Sequence, residues 1–214
     1  MKNNNTIVVA GSDGLIGSAV AEYLNNKNYK VLGIDPISNG IDITCALTVR
    51  NLFYMHNITG FVNCAYPRDL QQHFEVYMNA NNNFAHNFSI KKFGSIVNMA
   101  SIYGILGPDD RIYQDNEIYM PDWYAGAKGA IIAHSRCLAT RYAKHNVRIN
   151  CLALGGVYDN QSEDFVKKYN NKVPLGRMAR TSDIVGIVEF LISDRSSYIT
   201  GQCIPVDGGI SITV

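Results

Sequence analysis

Tyr124 and Lys128 lie four residues apart in the segment WYAGAK of this 214-residue chain. On a helix, this spacing places two side chains on the same face, one turn apart. An ammonium group beside a phenol favours the phenolate, so such a pair could exchange a proton with a substrate near neutral pH. The same spacing is also typical of an ordinary amphipathic turn with a surface lysine, and the pair alone does not decide between the two.

A glycine-rich segment, GSDGLIG (11–17), follows the apolar run TIVVA (6–10) and opens a helical pattern. Glycines let a backbone approach a pyrophosphate closely, and a helix N-terminus offers free N–H groups to an anion. Asp35, at the end of the second predicted strand, suits the ribose hydroxyls of NAD, and both it and Asp13 would repel the 2′-phosphate of NADP. The sequence therefore predicts an NAD site, the alternative being a glycine-rich turn that binds nothing.

Strand and helix patterns alternate along the chain and predict a doubly wound parallel α/β sheet with helices on both faces, in one domain over residues 1–214. Predicted helices cover 15–26, 45–57, 71–92, 123–145 and 182–193, the last capped by Ser182 or Thr181, and 105–122 is predicted to be irregular. Predicted strands cover 6–10, 30–34, 60–65, 95–100, 147–154 and 202–206, and GIDIT (40–44) could add a short edge strand. Too few residues separate Asp35 from GIDIT for a helical crossover, so the helix between strands two and three is predicted to be trimmed away.

The composition excludes several classes of protein. Apolar residues make up 47% and charged residues 17% of the chain, and the net charge is +1. No basic block suggests nucleic acid or an anionic membrane as a partner. The five cysteines form no CxxC pair and no metal-like spacing with histidine, which is typical of a reduced compartment and predicts no metal site. The apolar run before Gly11 is too short for a signal peptide or membrane span, so the chain is predicted to be cytoplasmic.

One known family carries a similar set of residues at these places in the chain. The set is Asn63 at the end of GFVNCA, Ser101 after the strand SIVNMA, Tyr124, Lys128 and DGG (207–209). Over essentially the whole chain they resemble the short-chain dehydrogenase/reductase family. The most specific segment is the tail GRMARTSDIVGIVEFLISDRSSYITGQCIPVDGG, which is similar to the family's classical branch. The resemblance implies a Rossmann-type fold and hydride transfer between NAD(H) and an alcohol or ketone.

The resemblance also implies a role for each catalytic candidate. Tyr124 would be the general acid in reduction and the base in oxidation, and Lys128 would lower its pKa and hold the nicotinamide ribose. Ser101 would bind the substrate oxygen, and Asn79, with Asn81 as the alternative, would hold a water that links Lys128 to solvent. Asp42 and Ile43 would hold the adenine. The implied cofactor-binding set is Gly11, Asp13, Gly14, Leu15, Ile16, Gly17, Asp35, Asp42, Ile43, Asn63, Ala65, Tyr124, Lys128, Gly155 and Val157.

Three features depart from the family's usual pattern. The glycines of the loop are spaced three and three, as in the extended branch, and Leu154-Gly155-Gly156 replaces the usual Pro-Gly. The insert ILGPDDRIYQDNEIYMPD (105–122) is longer than is usual. Together with AYPRD (65–69) and GGVYDNQ (155–161), it resembles oxidoreductases of bacterial flagellin-modification and nonulosonic-acid sugar pathways.

The insert suggests the kind of substrate. Charged residues and tyrosines are interleaved in it, which suits a hydroxyl-rich sugar derivative, phosphorylated or nucleotide-linked, better than an acyl chain. These residues are Asp109, Asp110, Arg111, Tyr113, Asp115, Glu117 and Tyr119. Arg68 and Arg111 could pair with a phosphate or carboxylate, or remain solvated surface arginines. Alternatively, the insert is an oligomer contact or a surface excursion.

Two other functions and an assembly state follow from the same residues. The chain could instead be a nucleotide-sugar epimerase or dehydratase that retains its NAD, or a non-catalytic NAD-binding scaffold. The helix 123–145 is predicted to present a second, apolar face with Ile131, Leu138 and Tyr142. Because members of the family usually pair such helices, a homodimer or homotetramer is expected.

Overall fold

The computed structural model describes residues 5–35, 39–67, 69–113 and 120–213. Six parallel strands form one sheet in the order β2-β1-β3-β4-β5-β6. The chain direction across the sheet reverses between β1 and β3, and the carboxyl ends of strands at such a switch point are where ligands bind in open α/β sheets. The strands are β1 (Thr6–Ala10), β2 (Lys30–Ile34), β3 (Ile58–Asn63), β4 (Gly94–Ser101), β5 (Val147–Leu154) and β6 (Cys203–Val206).

Helices cover both faces of the sheet. Ile7, Val8 and Val9 are all buried, because successive side chains of β1 enter opposite cores. One core lies under α2, α4 and α5, and the other under α1 and α7. The helices are α1 (Leu15–Asn26), α2 (Ala46–Met55), α3 (Leu70–Phe74), α4 (Ala80–Lys91), α5 (Asp122–Tyr142), α6 (Glu163–Asn170) and α7 (Ser182–Ile192).

The segment GIDIT is not a strand, and that prediction is wrong. The Asp42 carboxylate accepts hydrogen bonds from the backbone N–H and the hydroxyl of Thr44, at 2.8 and 2.7 Å. The Asn83 amide donates to the carbonyls of Ile43 and Thr44. These polar side chains satisfy the backbone N–H and carbonyl groups of a turn, so the segment needs no neighbouring strand. Residues 36–38 of the connection predicted to be trimmed lie outside the described residues. Residues 39–45 contain no helix, and because GIDIT is not a strand, helix α2 lies between β2 and β3.

The predicted helix 71–92 is interrupted. A π-helical turn, Glu75–Asn79, joins α3 to α4. Such a turn inserts one residue and rotates every later side chain around the helix axis. Residues spaced regularly in the sequence therefore do not share a face across this junction.

Helix α6 was not among the helices predicted from the sequence. The hydroxyl of Ser162 accepts a hydrogen bond from the Phe165 N–H and caps its N-terminus. Phe165 and Tyr169, four residues apart, are its only buried side chains. The cap and this single apolar pair were the available signal.

The apolar face expected on α5 is not free. Ile131 and Leu138 are 2% and 1% exposed within the single chain. Leu138 packs in the core beneath α2 and α4, and Tyr142 packs against the same core. Ile131 and Leu138 are therefore buried within the chain and not available for the predicted interface, and Tyr142 is partly buried.

Candidate active site

A cleft of about 540 Å³ opens at the carboxyl ends of the central strands. It lies at the switch point between β1 and β3, and the loops that follow β1, β3, β4 and β5 form its walls. Ten residues of the predicted set line it: Gly14, Leu15, Ile16, Gly17, Ala65, Ser101, Tyr124, Lys128, Gly155 and Val157.

The fold brings Ser101, Tyr124 and Lys128 together. Ser101 ends β4, and Tyr124 and Lys128 occupy the first two turns of α5. A Cβ added at Gly104 would lie 2.8 Å from the backbone carbon of Lys128, so the turn after Ser101 packs directly on the α5 backbone. This close approach brings the Ser101 hydroxyl near enough to the Tyr124 phenol to lower the pKa of that phenol.

Lys128 is buried, being 3% exposed, and its amine has a defined environment. The Nζ atom donates to the carbonyl oxygen of Met99 at 3.0 Å. It lies 5.5 Å from the ring centroid of Tyr124, and 5.8 and 5.2 Å from those of Tyr66 and Tyr77. The ammonium group is thus held beside the Tyr124 phenol by one backbone acceptor and three aromatic rings.

Burial dominates the pKa values of this pair. It raises the pKa of Tyr124 to about 12, although the neighbouring Ser101 hydroxyl acts in the opposite direction. It lowers the pKa of Lys128 to about 8. Lys128 is not among the groups that shift the pKa of Tyr124, so the chain's own groups do not produce the lowering that was expected from it, and the cost of removing the phenolate from water dominates.

Tyr77 belongs to the site and was missed from the sequence. It is fully buried on the π-helical turn, and its hydroxyl donates to the carbonyl of Ala65 at 2.8 Å. The same hydroxyl lies 3.3 Å from the Met99 carbonyl that binds Lys128. Tyr77 thus connects the loop after β3 to the carbonyl group that binds Lys128. No sequence signal separates it from other apolar helix positions.

The two asparagine candidates occupy different environments. Asn79 is exposed at the end of the π-helical turn, whereas Asn81 is 0% exposed in the first turn of α4. Neither amide atom of Asn81 has a hydrogen-bond partner within the described residues. Because buried amides are rarely left unpaired, Asn81 is the better candidate for holding a water. Asn79 is the first candidate from the sequence on a helix predicted to run unbroken over 71–92.

The glycine loop has the geometry of an anion cradle. Gly11 has φ +70°, and a Cβ added there would lie 2.8 Å from the Ala65 nitrogen. A Cβ at Gly17 would lie 1.9 Å from the Gly11 carbonyl oxygen. Gly14 is the N-cap of α1, with no side-chain cap and no acidic residue in the first turn, so backbone N–H groups remain for a ligand. These residues fit the pyrophosphate of a dinucleotide.

The remaining predicted cofactor residues lie outside the lining of the cleft. Asp35 follows the last residue of β2 and is half-buried, and Asp13 is exposed in the loop. Asp42 caps its own turn, and Ile43 is buried in the core beside it. Asn63 is fully buried, and its side-chain oxygen accepts a hydrogen bond from the Ala65 N–H at 3.3 Å, so it orders the loop after β3.

The loop after β5 packs against α6. The N–H of Gly156 donates to the hydroxyl of Tyr169. A Cβ added at Gly156 would lie 2.7 Å from the Tyr169 ring, and one at Gly155 would lie 2.9 Å from the Asp207 Cα. The Gly-Gly pair that replaces the family's Pro-Gly thus leaves the space that Tyr169 fills.

The insert is described only in part, and the predictions for Asp115, Glu117 and Tyr119 lie outside the described residues, as does that for Arg68. Arg111 pairs with the Asp109 carboxylate at 2.8 Å, so its guanidinium is already engaged. Lys172 pairs with the same carboxylate. Among the residues that the structure describes, no three metal-binding side chains converge, and no helix is long and apolar enough to cross a bilayer.

Comparisons with known proteins agree with this geometry. The sequence profile described as Enoyl-(Acyl carrier protein) reductase matches residues 57–211, and that of the NAD dependent epimerase/dehydratase family matches residues 7–105. The first match spans most of the chain. The chain therefore belongs to the short-chain dehydrogenase/reductase family, whose members are oxidoreductases.

Individual relatives are similar over nearly their whole length. Post-translational flagellin modification protein A of Campylobacter coli is 29% identical over 254 residues, covering 98% of this chain and 99% of the relative. A 3-oxoacyl-[acyl-carrier-protein] reductase of Chlamydia trachomatis is 28% identical over 225 residues, covering 96% and 87%. The crystal structure of a short chain dehydrogenase from Leptospira borgpetersenii with bound NAD+ superimposes with a TM-score of 0.82 at 30% identity, covering 97% and 93%.

Proposed function

We propose that this protein is an NAD(H)-dependent oxidoreductase that interconverts a hydroxyl group and a ketone on a sugar derivative. The observation that carries the proposal is the convergence of Ser101, Tyr124 and Lys128 in one cleft that also contains the glycine loop. A serine, a tyrosine and a buried lysine are the groups that a carbonyl reduction needs to bind oxygen and deliver a proton.

Each side chain has a distinct role. In reduction, the Tyr124 hydroxyl gives its proton to the substrate oxygen, and in oxidation the phenolate takes that proton from the alcohol. The Ser101 hydroxyl, which lines the same cleft beside Tyr124, stabilises the charge that develops on the same oxygen. Lys128 holds positive charge against the phenol, and Asn81 holds a water for proton exchange. The glycine loop would hold the pyrophosphate of NAD, and the nicotinamide would supply or accept the hydride and, when oxidised, add a positive charge that favours the phenolate.

Asp35 supports NAD over NADP. Asp35 lies at the end of β2, next to the glycine loop. The Ser12 side chain of that loop packs on Gly33, since a Cβ added at Gly33 would lie 2.8 Å from the Ser12 hydroxyl oxygen. A 2′-phosphate at this end would meet the carboxylates of Asp35 and Asp13. The NAD+ bound in the Leptospira relative is consistent with this choice.

The sugar substrate is supported by the relative from Campylobacter coli, which is named for flagellin modification. The reductase relative is named for an acyl-carrier-protein substrate, so an acyl ketone is the competing substrate class. An epimerase or dehydratase that retains NAD is the second candidate function. The match of residues 7–105 to that family's profile favours it.

Turnover measurements separate these possibilities. NADH oxidation would be followed with keto-sugar phosphates, nucleotide-linked keto-sugars and an acetoacetyl thioester, for the wild type and for Tyr124→Phe. The proposal expects turnover of a sugar ketone by the wild type and a loss of about 100-fold or more in the variant, with NAD binding retained. Preference for the thioester rejects the sugar substrate. Co-purified NAD with conversion of a nucleotide sugar but no net redox change establishes the epimerase.

The setting and assembly follow from the same reasoning. All five cysteines are free thiols, which supports a reducing, cytoplasmic location. We infer a homodimer or homotetramer, because family members usually assemble. With Ile131 and Leu138 in the core, the contact would involve other surfaces, such as exposed Ile90 on α4.

A further inference from the structure

Two tyrosine hydroxyls meet in the wall of the cleft. The phenolic oxygens of Tyr103 and Tyr113 lie 2.7 Å apart and share a hydrogen bond. Both residues line the same cleft as Ser101 and Tyr124. The chemistry proposed above uses neither of them.

Both tyrosines are held by packing. Tyr103 is 8% exposed, and its N–H donates to the Ser101 hydroxyl at 3.2 Å, so it is attached to the oxygen-binding serine. The Tyr113 ring packs on Phe165 of α6, with centroids 5.7 Å apart. Its neighbour Ile112 is 1% exposed within the same cluster. The hydroxyl pair therefore has a fixed position relative to Ser101.

The pair retains hydrogen-bonding capacity. Each phenol offers one proton and can also accept. Their mutual bond uses one of the two protons, and within the described residues neither hydroxyl has another partner. Nearby lining residues Met120, Phe165 and Met178 offer no strong acceptor. One O–H group is thus left for a ligand in a largely apolar wall.

The pair is also close to the reacting centre. The Tyr103 phenol contributes to the raised pKa of Tyr124, after burial and Tyr66. Tyr124 in turn contributes to the raised pKa of Tyr113. Geometry supports the same placement, because the Tyr103 N–H is bonded to the Ser101 hydroxyl and all three phenols line the same cleft. A group bound by the pair would therefore lie close to the oxygen held by Ser101 and Tyr124.

We propose that the Tyr103–Tyr113 pair binds a second hydroxyl group of the substrate, on the carbon next to the one that reacts. The preferred substrates are then vicinal diols and α-hydroxyketones. This inference rests on the proposed oxidoreductase function and names the substrate class of the same site. A plain acyl or alkyl ketone leaves the remaining O–H unpaired in an apolar wall, and sites built to bind a hydroxyl group discriminate strongly against analogues that lack it.

Matched pairs of small substrates test this recognition. Oxidation with NAD+ would be compared for 1,2-cyclohexanediol and cyclohexanol, and reduction with NADH for 2-hydroxycyclohexanone and cyclohexanone. The expected kcat/KM ratio favours the hydroxylated member by about ten-fold or more. Tyr103→Phe and Tyr113→Phe should each lower that ratio about three- to ten-fold, and the double variant little further, because the two hydroxyls act through one shared bond.

Tyr198→Phe, at a fully exposed tyrosine, is the matched control and should keep the wild-type ratio. Equal kcat/KM for both members of each pair in the wild type, or unchanged ratios in both cleft variants, overturns the inference and leaves the oxidoreductase function standing. No NAD-dependent turnover of any probe or sugar ketone overturns the proposed function and this inference with it.

Discussion

Replacing Lys128 by methionine should abolish turnover and yet stabilise the fold at neutral pH. The lysine is 3% exposed, and its pKa is lowered from 10.5 to about 8 by burial. A charged amine in this position is therefore a cost to folding. Methionine has a similar length and no charge, so it should fill the same space without that cost.

The magnitude follows from the pKa shift. At about 1.36 kcal/mol per pKa unit, the difference between 10.5 and about 8 corresponds to about 3 kcal/mol against the charged, folded lysine. The variant loses the hydrogen bond to the Met99 carbonyl, which lowers its stability by about 1 kcal/mol, although the Tyr77 hydroxyl remains near that carbonyl. The variant should therefore be more stable than the wild type by about 2 kcal/mol at pH 7.

The advantage should disappear at high pH. Between about pH 8 and 10.5 the unfolded wild type binds more protons than the folded wild type, so raising the pH stabilises the wild type. From pH 7 to about pH 9.5, the free energy of unfolding of the wild type should rise by about 2 kcal/mol relative to that of the variant, which removes the difference in stability. Urea unfolding followed by far-UV circular dichroism at both pH values measures it. The exposed Lys144→Met control should show no such change. A variant less stable than the wild type at pH 7, or a gap independent of pH, would refute the reasoning.

Three further predictions concern the cofactor, the loop after β5 and assembly. Asp35→Ala should narrow the ratio between the NADP and NAD dissociation constants measured by calorimetry, and comparable constants in the wild type would contradict the assigned preference. Tyr169→Phe removes the hydroxyl that accepts a hydrogen bond from the Gly156 N–H. Loss of this bond should cost about 1 kcal/mol and lower the thermal unfolding midpoint by about 2–4 °C, whereas an unchanged midpoint would show that the bond contributes nothing to stability. Light scattering at micromolar concentration should give the mass of a dimer or tetramer, and a monomer mass would count against the proposed assembly.

The architecture was predictable because its signals are local. All six strands were predicted from apolar runs, and β1 and β5 give the clearest signal, since every residue of both is buried. The prediction for GIDIT failed because its conformation depends on Asn83, a side chain distant in sequence that bonds its carbonyls. Helix α6 was not predicted because only Phe165, Val166 and Tyr169 are apolar in an otherwise polar segment.

Most of the residues that form the site could be predicted from the sequence, but their positions and pKa values could be predicted less well. Ser101, Tyr124 and Lys128 line one cleft as expected, because each is fixed by a strand end or a helix turn. The placement of Asn79 and Asn81 depends on the π-helical turn, which propensities do not reveal. The pKa of Tyr124 depends on burial, which spacing along a helix cannot report.

The loop after β5, helix α6 and the insert form one connected arrangement. Gly156 lacks a Cβ at the position where the Tyr169 ring packs, and its N–H binds the hydroxyl of that ring. Tyr169 lies on α6, whose Phe165 contacts Tyr113 of the insert, and Lys172 just beyond α6 pairs with Asp109 of the insert. Loss of any one of these contacts would leave a cavity, an unpaired N–H or an unsupported loop. Together they connect the insert to the loop after β5, so that the wall carrying the paired phenols is fixed with respect to Tyr124.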